Sequence, residues 1–212
     1  MSAPMTTRIE QIVTDGVFEL DGGRWDVQNN VWLVGDAHEC LLIDAPHDAA
    51  AIAELVAGRD VVAIACTHAH SDHVDAALAL SELVDAPVLL HPDDRVLWDL
   101  VHPDRAPHAE LADGETLTVA GVDLRVLHTP GHSPGSCCFH APALSAVFTG
   151  DTLFEGGPGA TGRSYSDFDT IVASITDRLL TLPGSTTVHT GHGSHTTIAA
   201  EAARAPEWHP TR

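Results

Sequence analysis

Six consecutive residues contain four side chains that bind metal ions well: His68, His70, Asp72 and His73, in the run Thr67-His68-Ala69-His70-Ser71-Asp72-His73. Alternate residues of an extended segment point the same way, so His68 and His70 can reach one point. A turn after them lets Asp72 and His73 face a second point beside it. Imidazole nitrogen with carboxylate oxygen is the donor mix favoured by zinc, iron and manganese. Four such groups at the exit of an apolar strand cost desolvation and mutual repulsion unless a cation balances them. Three more metal-capable residues each follow an apolar run in a tight, glycine-bearing turn. They are His132 in Thr129-Pro130-Gly131-His132-Ser133-Pro134-Gly135, Asp151 in Phe148-Thr149-Gly150-Asp151-Thr152, and His192 in Val188-His189-Thr190-Gly191-His192-Gly193. Ligands at successive strand ends converge on one edge of a sheet, where open α/β folds place their sites.

The elements that must position these residues are short apolar runs bounded by turn residues. Residues 31–34 and 40–43 read as a meander feeding a buried strand, and 61–66, apolar throughout, as a strand covered on both faces. A helix opening at Asp48 keeps Ile52, Leu55 and Val56 on one face and stops at Gly58; a second is expected over 75–84. Strand 87–90 precedes an irregular stretch, 91–111. Beyond it Asp113-Gly114 introduces a hairpin, 117–119 with 122–127, and strands follow at 137–140 and 146–149. After a glycine-rich loop at 156–162, Ser166 with Asp169 three residues on resembles a helix start, with Ile171, Ile175 and Leu179 on its apolar face. A last strand is expected over 186–190 and a last helix over 195–204. No Pro/Ser-rich linker interrupts the pattern, so residues 1–212 read as a single mixed α/β domain.

Composition narrows the partners. All ten basic residues are arginine, against thirty acidic ones, giving a formal net charge of −20. Such a chain repels phosphate backbones and anionic lipid, which argues against nucleic acid and membrane surfaces and for small molecules or cations. No window approaches the roughly 20 apolar residues of a membrane span, and the opening residues lack the basic flank and apolar core of a secretory signal. Cys40, Cys66, Cys137 and Cys138 include no CxxC; they read as buried free thiols in a cytoplasmic protein.

The motifs THAHSDH, HTPGHSPGS, TGDTLF and TGHG, spread over residues 42–193, resemble the metallo-β-lactamase superfamily of hydrolases, and most closely its glyoxalase II (hydroxyacylglutathione hydrolase)-like branch. The resemblance implies an αβ/βα sandwich, an α/β fold with two packed mixed sheets and helices outside. It implies that His68, His70 and His132 hold one divalent metal ion, that Asp72, His73 and His192 hold a second, and that Asp151 bridges them. Zinc comes first as the metal, with iron or manganese as alternatives. Flavodi-iron members carry Glu at the position of His70, and the β-lactamases proper differ at that of Asp151. The chemistry implied is hydrolysis of a thioester or ester of a small thiol by a water activated between the metals, with Asp72 and Asp151 as catalytic residues. An iron persulfide dioxygenase and a lactonase are alternatives within the superfamily, and a non-enzymatic histidine-rich metal-binding protein is an alternative outside it.

Glyoxalase II enzymes carry a helical C-terminal domain with basic residues for glutathione. Only about 20 residues follow His192 here, so that domain is not expected, and a mycothiol-type carrier stands beside a glutathione-type one. Arg163 and Tyr165, after the glycine-rich loop, are the candidate substrate contacts. Asp44 and His128 are candidates for supporting a metal-bound histidine from behind. Trp25, Trp32, Trp98 and Trp208 read as core or rim packing, and His91, His102, His108 and His195 as surface or loop residues.

Overall fold

The continuous apolar runs become inner strands because alternate residues must bury against different neighbours. The computed structural model describes residues 6–209; residues 1–5, part of the stretch read for a secretory signal, and the last three of the chain lie outside the described residues. One sheet has the order β1 (Arg8–Leu20), β2 (Gly23–Gly35), β3 (Glu39–Ile43), β4 (Asp60–Ala65), β5 (Val88–Leu90), β6 (Ala109–Glu110). Its β1–β2 and β2–β3 pairs are antiparallel and the others parallel. The second sheet is built from β7 (Thr116–Val119), β8 (Val122–His128), β9 (Cys137–Ala141) and β10 (Ala146–Gly150). A two-stranded ribbon, β11 (Leu153–Phe154) with β12 (Gly157–Pro158), follows, and β13 (Thr187–Thr190) and β14 (Thr196–Thr197) complete that sheet in the order β14-β13-β10-β9-β8-β7. The β10–β13 pair is parallel, its neighbours antiparallel.

Along β2, β3 and β4 the two-residue period divides the side chains between two cores. Leu33, Leu42 and Ile64 pack with Ile52, Leu80 and Trp98 beneath helices α1 (Ala49–Val56), α3 (Ala77–Val84) and α4 (Arg95–Val101). Trp32, Leu41, Ile43 and Ala65 face the other way and meet Val126, Phe139 and Phe148 of the second sheet. That sheet buries Cys138, Val147 and Val188 against Ile171, Ile175 and Ile198, from α5 (Phe168–Ser174), the π-turn continuing it and α6 (Ile198–Arg204). The result is the expected helix–sheet–sheet–helix sandwich of two mixed sheets, with roughly 1.5–3 kcal/mol from each fully buried Leu, Ile or Phe. All four cysteines are buried and free. Among the described residues no helix is long and apolar enough to cross a membrane.

Several boundaries differ from the sequence reading for local reasons. The helix expected over 75–84 begins earlier and is broken, as α2 (Ser71–Val74) followed by α3. The stretch 91–111 is not irregular: it holds a 3₁₀ turn at Pro92–Asp94, α4 and β6. Asp48 caps α1 as expected, accepting from Ala51 N at 3.0 Å. The cap of α5 is Asp167, which accepts from Thr170 N at 2.7 Å, while Ser166 Oγ accepts from Gly162 N and Arg163 N instead. The last helix starts three residues late, at Ile198, where Thr197 accepts from Ala200 N at 3.2 Å.

Candidate metal centre

The parallel strands β3 and β4 and the parallel pair β10–β13 end at the same edge of the sandwich, and the seven expected ligands meet there. His68 Nε2 lies 3.1 Å from His70 Nδ1, and His70 Nδ1 lies 3.0 Å from His132 Nε2. Beside them His192 Nε2 lies 3.3 Å from both His73 Nε2 and Asp72 Oδ2. Asp151 connects the two triads: its Oδ2 is 3.3 Å from His192 Nε2 and 3.6 Å from His132 Nε2, and its Oδ1 is 3.3 Å from His73 Nε2. Gly191 is what lets the carboxylate in, since a Cβ there would stand 2.3 Å from Asp151 Oδ1.

Four of the five imidazoles are set from behind, while the outer Nε2 of His70 is buried without a partner. Asp44 Oδ2 accepts from His73 Nδ1 at 2.8 Å, the Ala160 carbonyl from His132 Nδ1 at 2.9 Å, and the Gln28 carbonyl from His192 Nδ1 at 2.7 Å. Thr67 Oγ1 lies 3.1 Å from His68 Nδ1. An imidazole whose outer N–H is engaged this way turns a lone pair inward, the arrangement that orients metal-binding histidines. Asp44 is thereby placed behind His73 and caps no helix; its other contacts are Thr67 N at 2.7 Å and Thr67 Oγ1 at 2.8 Å. A ring nitrogen of His70 about 3 Å from those of both His68 and His132, and a buried Asp151 Oδ1 that accepts from no donor, make a poor hydrogen-bond network and fit the donor set of a cation.

The electrostatics divide the site. Burial and the neighbouring histidines hold His68 well below the ordinary imidazole range, and burial with His132 takes His70 to about 3. For His73 and His192 burial acts in the same sense, but carboxylates together outweigh it: Asp151, Asp44 and Asp72 hold His73 well above that range, and Asp151 with Asp72 takes His192 to about 10. Burial would raise Asp72, but His73 and His192 bring it to about 2. One triad therefore offers free lone pairs, and the other balances its carboxylates with protons that a cation would replace.

Two residues that sequence reasoning did not single out hold the ligand loops. Asp94, fully buried, accepts from Ala69 N at 2.7 Å and Ser133 Oγ at 2.8 Å through one oxygen and from Gly135 N through the other. It thus ties the His68–His70 segment to the His132 turn, although burial pushes its carboxyl up to about 6. Asp94→Ala leaves those donors unpaired and is expected to cost about 3–5 kcal/mol in urea unfolding. Asn29, also fully buried, lays its amide against Asp72. The available signal for it was a polar Asn29-Asn30 pair inside a strand otherwise running into apolar residues.

A cavity of about 140 Å³ opens over the site, walled by Phe18, Val27 and Arg163. The Arg163 guanidinium stacks 3.7 Å from the Trp25 ring centre and 5.0 Å from that of Phe18, and its Nη1 is buried without a hydrogen-bond partner. Asp21, in the β1–β2 turn, accepts from Ser164 N at 3.0 Å, pinning the hairpin over the loop. Trp25 thus packs against Arg163 without itself lining the cavity. Tyr165 does not line this cavity; it is 50% exposed, at φ +69°. His128 lies apart from the seven residues, with Nε2 donating to the Pro134 carbonyl at 2.9 Å and its ring stacked 4.0 Å from His91. His91, read as a surface or loop residue, is buried by that stack. A larger cavity of about 550 Å³ sits behind the β11–β12 ribbon against Phe168 and Trp208, lined by none of the seven.

With this geometry in place, the sequence profile of the metallo-beta-lactamase superfamily matches residues 24–192. The chain belongs to this superfamily. Hydroxyacylglutathione hydrolase GloC of Haemophilus influenzae is 30% identical over 195 residues, 84% of this chain and 92% of that protein. Among solved superfamily structures, TTHA1623 in a di-iron-bound form is 37% identical with a TM-score of 0.75, over 86% of this chain and 96% of the other. The BLEG-1 B3 metallo-beta-lactamase is 28% identical with a TM-score of 0.77, over 92% and 99%. Family and clusters together imply that this chain binds divalent metal.

Proposed function

We propose that this superfamily member is a two-metal hydrolase of thioesters, or esters, of a small thiol. The observation that carries this reading is Asp151, whose one oxygen lies 3.3 Å from His192 Nε2 and 3.6 Å from His132 Nε2 and so faces both triads. His68, His70 and His132 hold one ion, Asp72, His73 and His192 the other, with zinc foremost and iron or manganese served by the same donors. Bound ions supply water activation and Lewis-acid polarisation of the carbonyl. Asp72, lining the cavity, accepts a hydrogen bond from the attacking water and orients it toward the substrate carbonyl. Phe18 and Val27 exclude bulk water and meet the acyl chain.

Cavity size limits that chain, because ligand pockets of drug size run to about 300–1,000 Å³. A cavity of about 140 Å³ takes a short acyl group and leaves the thiol carrier to extend past Arg163. The unpartnered Nη1 of Arg163 suits an acceptor on that carrier, whether carboxylate or sugar oxygen. A relative named as a hydroxyacylglutathione hydrolase favours a glutathione-type carrier, and a mycothiol-type carrier offers oxygen acceptors of the same kind to Arg163.

The test is a panel of short acyl thioesters of both thiols, a lactone, and a thiol persulfide with an oxygen electrode. Thiol release from the thioesters without oxygen uptake is expected; oxygen consumption with the persulfide, or turnover of the lactone alone, would replace this reading. Arg163→Met is expected to raise KM about tenfold for a carrier bearing the acceptor, with kcat little changed. An equal rise for a carrier without acceptors would assign Arg163 to the wall alone.

A further inference from the structure

Asn29 lies within β2 with its side chain against the Asp72–His73–His192 triad, and its surroundings are built around an imidazole that neither triad uses. Its Nδ2 is 3.2 Å from Asp72 Oδ2, 3.3 Å from His73 Nε2 and 3.4 Å from His192 Nε2, so one amide end faces all three donor atoms. The other end, Oδ1, is 3.0 Å from His47 Nε2. The side chain of His47 is 6% exposed; its Nδ1 lies 3.1 Å from Asp75 Oδ2, and its backbone N–H donates to Asp75 Oδ1 at 2.6 Å.

Holding that imidazole in place has a local cost. His47 sits at φ +61°, a conformation worth on the order of 1–3 kcal/mol of strain in a non-glycine residue. Its ring packs where Gly16 has no side chain: a Cβ there would fall 2.1 Å from the imidazole. A strained residue, a glycine in an otherwise regular strand and a fully buried amide thus converge on one contact, between His47 Nε2 and Asn29.

An amide presents a donor at one end and an acceptor at the other, and a half-turn about χ2 exchanges them with almost no change of shape. With the NH₂ toward the triad, the amide serves Asp72 as a donor, but Oδ1 then faces His47 Nε2, and Asp75 already occupies His47 Nδ1–H. With the half-turn made, Nδ2–H donates to the His47 Nε2 lone pair and Oδ1 faces the triad. A cation among Asp72, His73 and His192 repels the partial positive charge of an NH₂ about 3.3 Å from each donor and attracts a carbonyl oxygen.

We propose that Asn29 is a further donor to the divalent cation of the Asp72–His73–His192 triad: it turns Oδ1 toward that ion, and His47 holds the turned amide by accepting from Nδ2. His47 is then a positioning residue. This rests on the two-metal reading and adds a carbonyl oxygen to the second site only, making the two sites unequal.

The test is stepwise titration of Co²⁺ alone into the metal-free full chain, read by visible absorption and equilibrium dialysis, with thermal melts to establish folding. Wild type takes up two equivalents. Asn29→Leu, which removes both polar ends, weakens the second equivalent by roughly 10–100-fold and leaves the first unchanged. Asn29→Asp, which keeps an oxygen toward the ion and adds a negative charge that outweighs the lost donor to His47, binds the second equivalent at least as tightly as wild type. His47→Gly, favoured at φ +61°, weakens it by a smaller factor. Should Asn29→Leu not fold, Asn29→Asp and His47→Gly carry the same test.

The proposal is overturned if Asn29→Asp binds the second ion more weakly than wild type, because the amide then acts as a donor to Asp72. It is equally overturned if Asn29→Leu or His47→Gly binds that ion like wild type. Uptake of fewer than two equivalents by wild type would instead fail the two-metal reading, and the inference with it.

Discussion

Asp151→Ala is expected to reduce metal content from about two ions per chain to about one and to lower kcat/KM by on the order of 10²–10³-fold or more. Asp151 is the only one of the seven residues whose oxygens approach both triads, at 3.3 Å from His73 and His192 and 3.6 Å from His132. On the two-metal proposal its loss removes a ligand from each ion, and with it goes the foremost of the carboxylates that hold His73 and His192 above the ordinary imidazole range. The remaining neutral triad of His68, His70 and His132 keeps its lone pairs and its ion. His70→Ala acts on the opposite side: it opens that triad, leaves the Asp72 side intact and is expected to cause a comparable loss of activity. Metal analysis alongside steady-state kinetics separates the two variants. Normal turnover in either at full metal occupancy would remove the residue from the centre.

Removing the metals is expected to lower the thermal midpoint by more than a typical single substitution does. An ion that binds only the folded chain, present at 1,000 times its Kd, adds about 4 kcal/mol, which for a domain of this size corresponds to roughly 8–16 °C. Dialysis against a chelator and re-addition of zinc, followed by scanning calorimetry, measures this. Proton traffic provides a sharper signature. In the metal-free chain the surrounding carboxylates, Asp151 foremost, take His192 to about 10 and hold His73 well above the ordinary imidazole range, whereas burial takes His70 to about 3 and holds His68 well below it. Filling the His68–His70–His132 site should release almost no protons, and filling the second about one to two, with second-site affinity falling as pH falls. Isothermal titrations in two buffers of different ionisation enthalpy count these protons. Equal release at both steps would contradict the division.

The candidate ligands were legible because their signal is local. Four donors in six residues, and single donors in glycine-flanked turns after apolar runs, are patterns that a chain displays without knowledge of its fold. Grouping the seven into two triads, and recognising the sandwich, came from family resemblance; periodicity alone supports only a mixed α/β chain. Residues that support the ligands from a distance in sequence left weaker traces. Asp94 reaches Ala69 and Ser133 across 25 and 39 residues, and no motif marks an Asp that bridges two loops. Asn29 is 43 residues from Asp72. His128 is four residues from His132, yet its strand turns the ring away from the centre to stack on His91, whereas Asp44 lands behind His73. Strand β1, which is exposed or half-buried along nearly all its length, shows no continuous apolar run, and α4 hides in a stretch rich in Pro, Asp and His.

The most direct test of the central claim is thiol release from a short acyl thioester, measured as zinc is titrated into the metal-free protein. The two-metal reading predicts little activity up to one equivalent, a steep rise with the second and a plateau at about two. Full activity at one equivalent, or no thiol release with both sites filled, would contradict it.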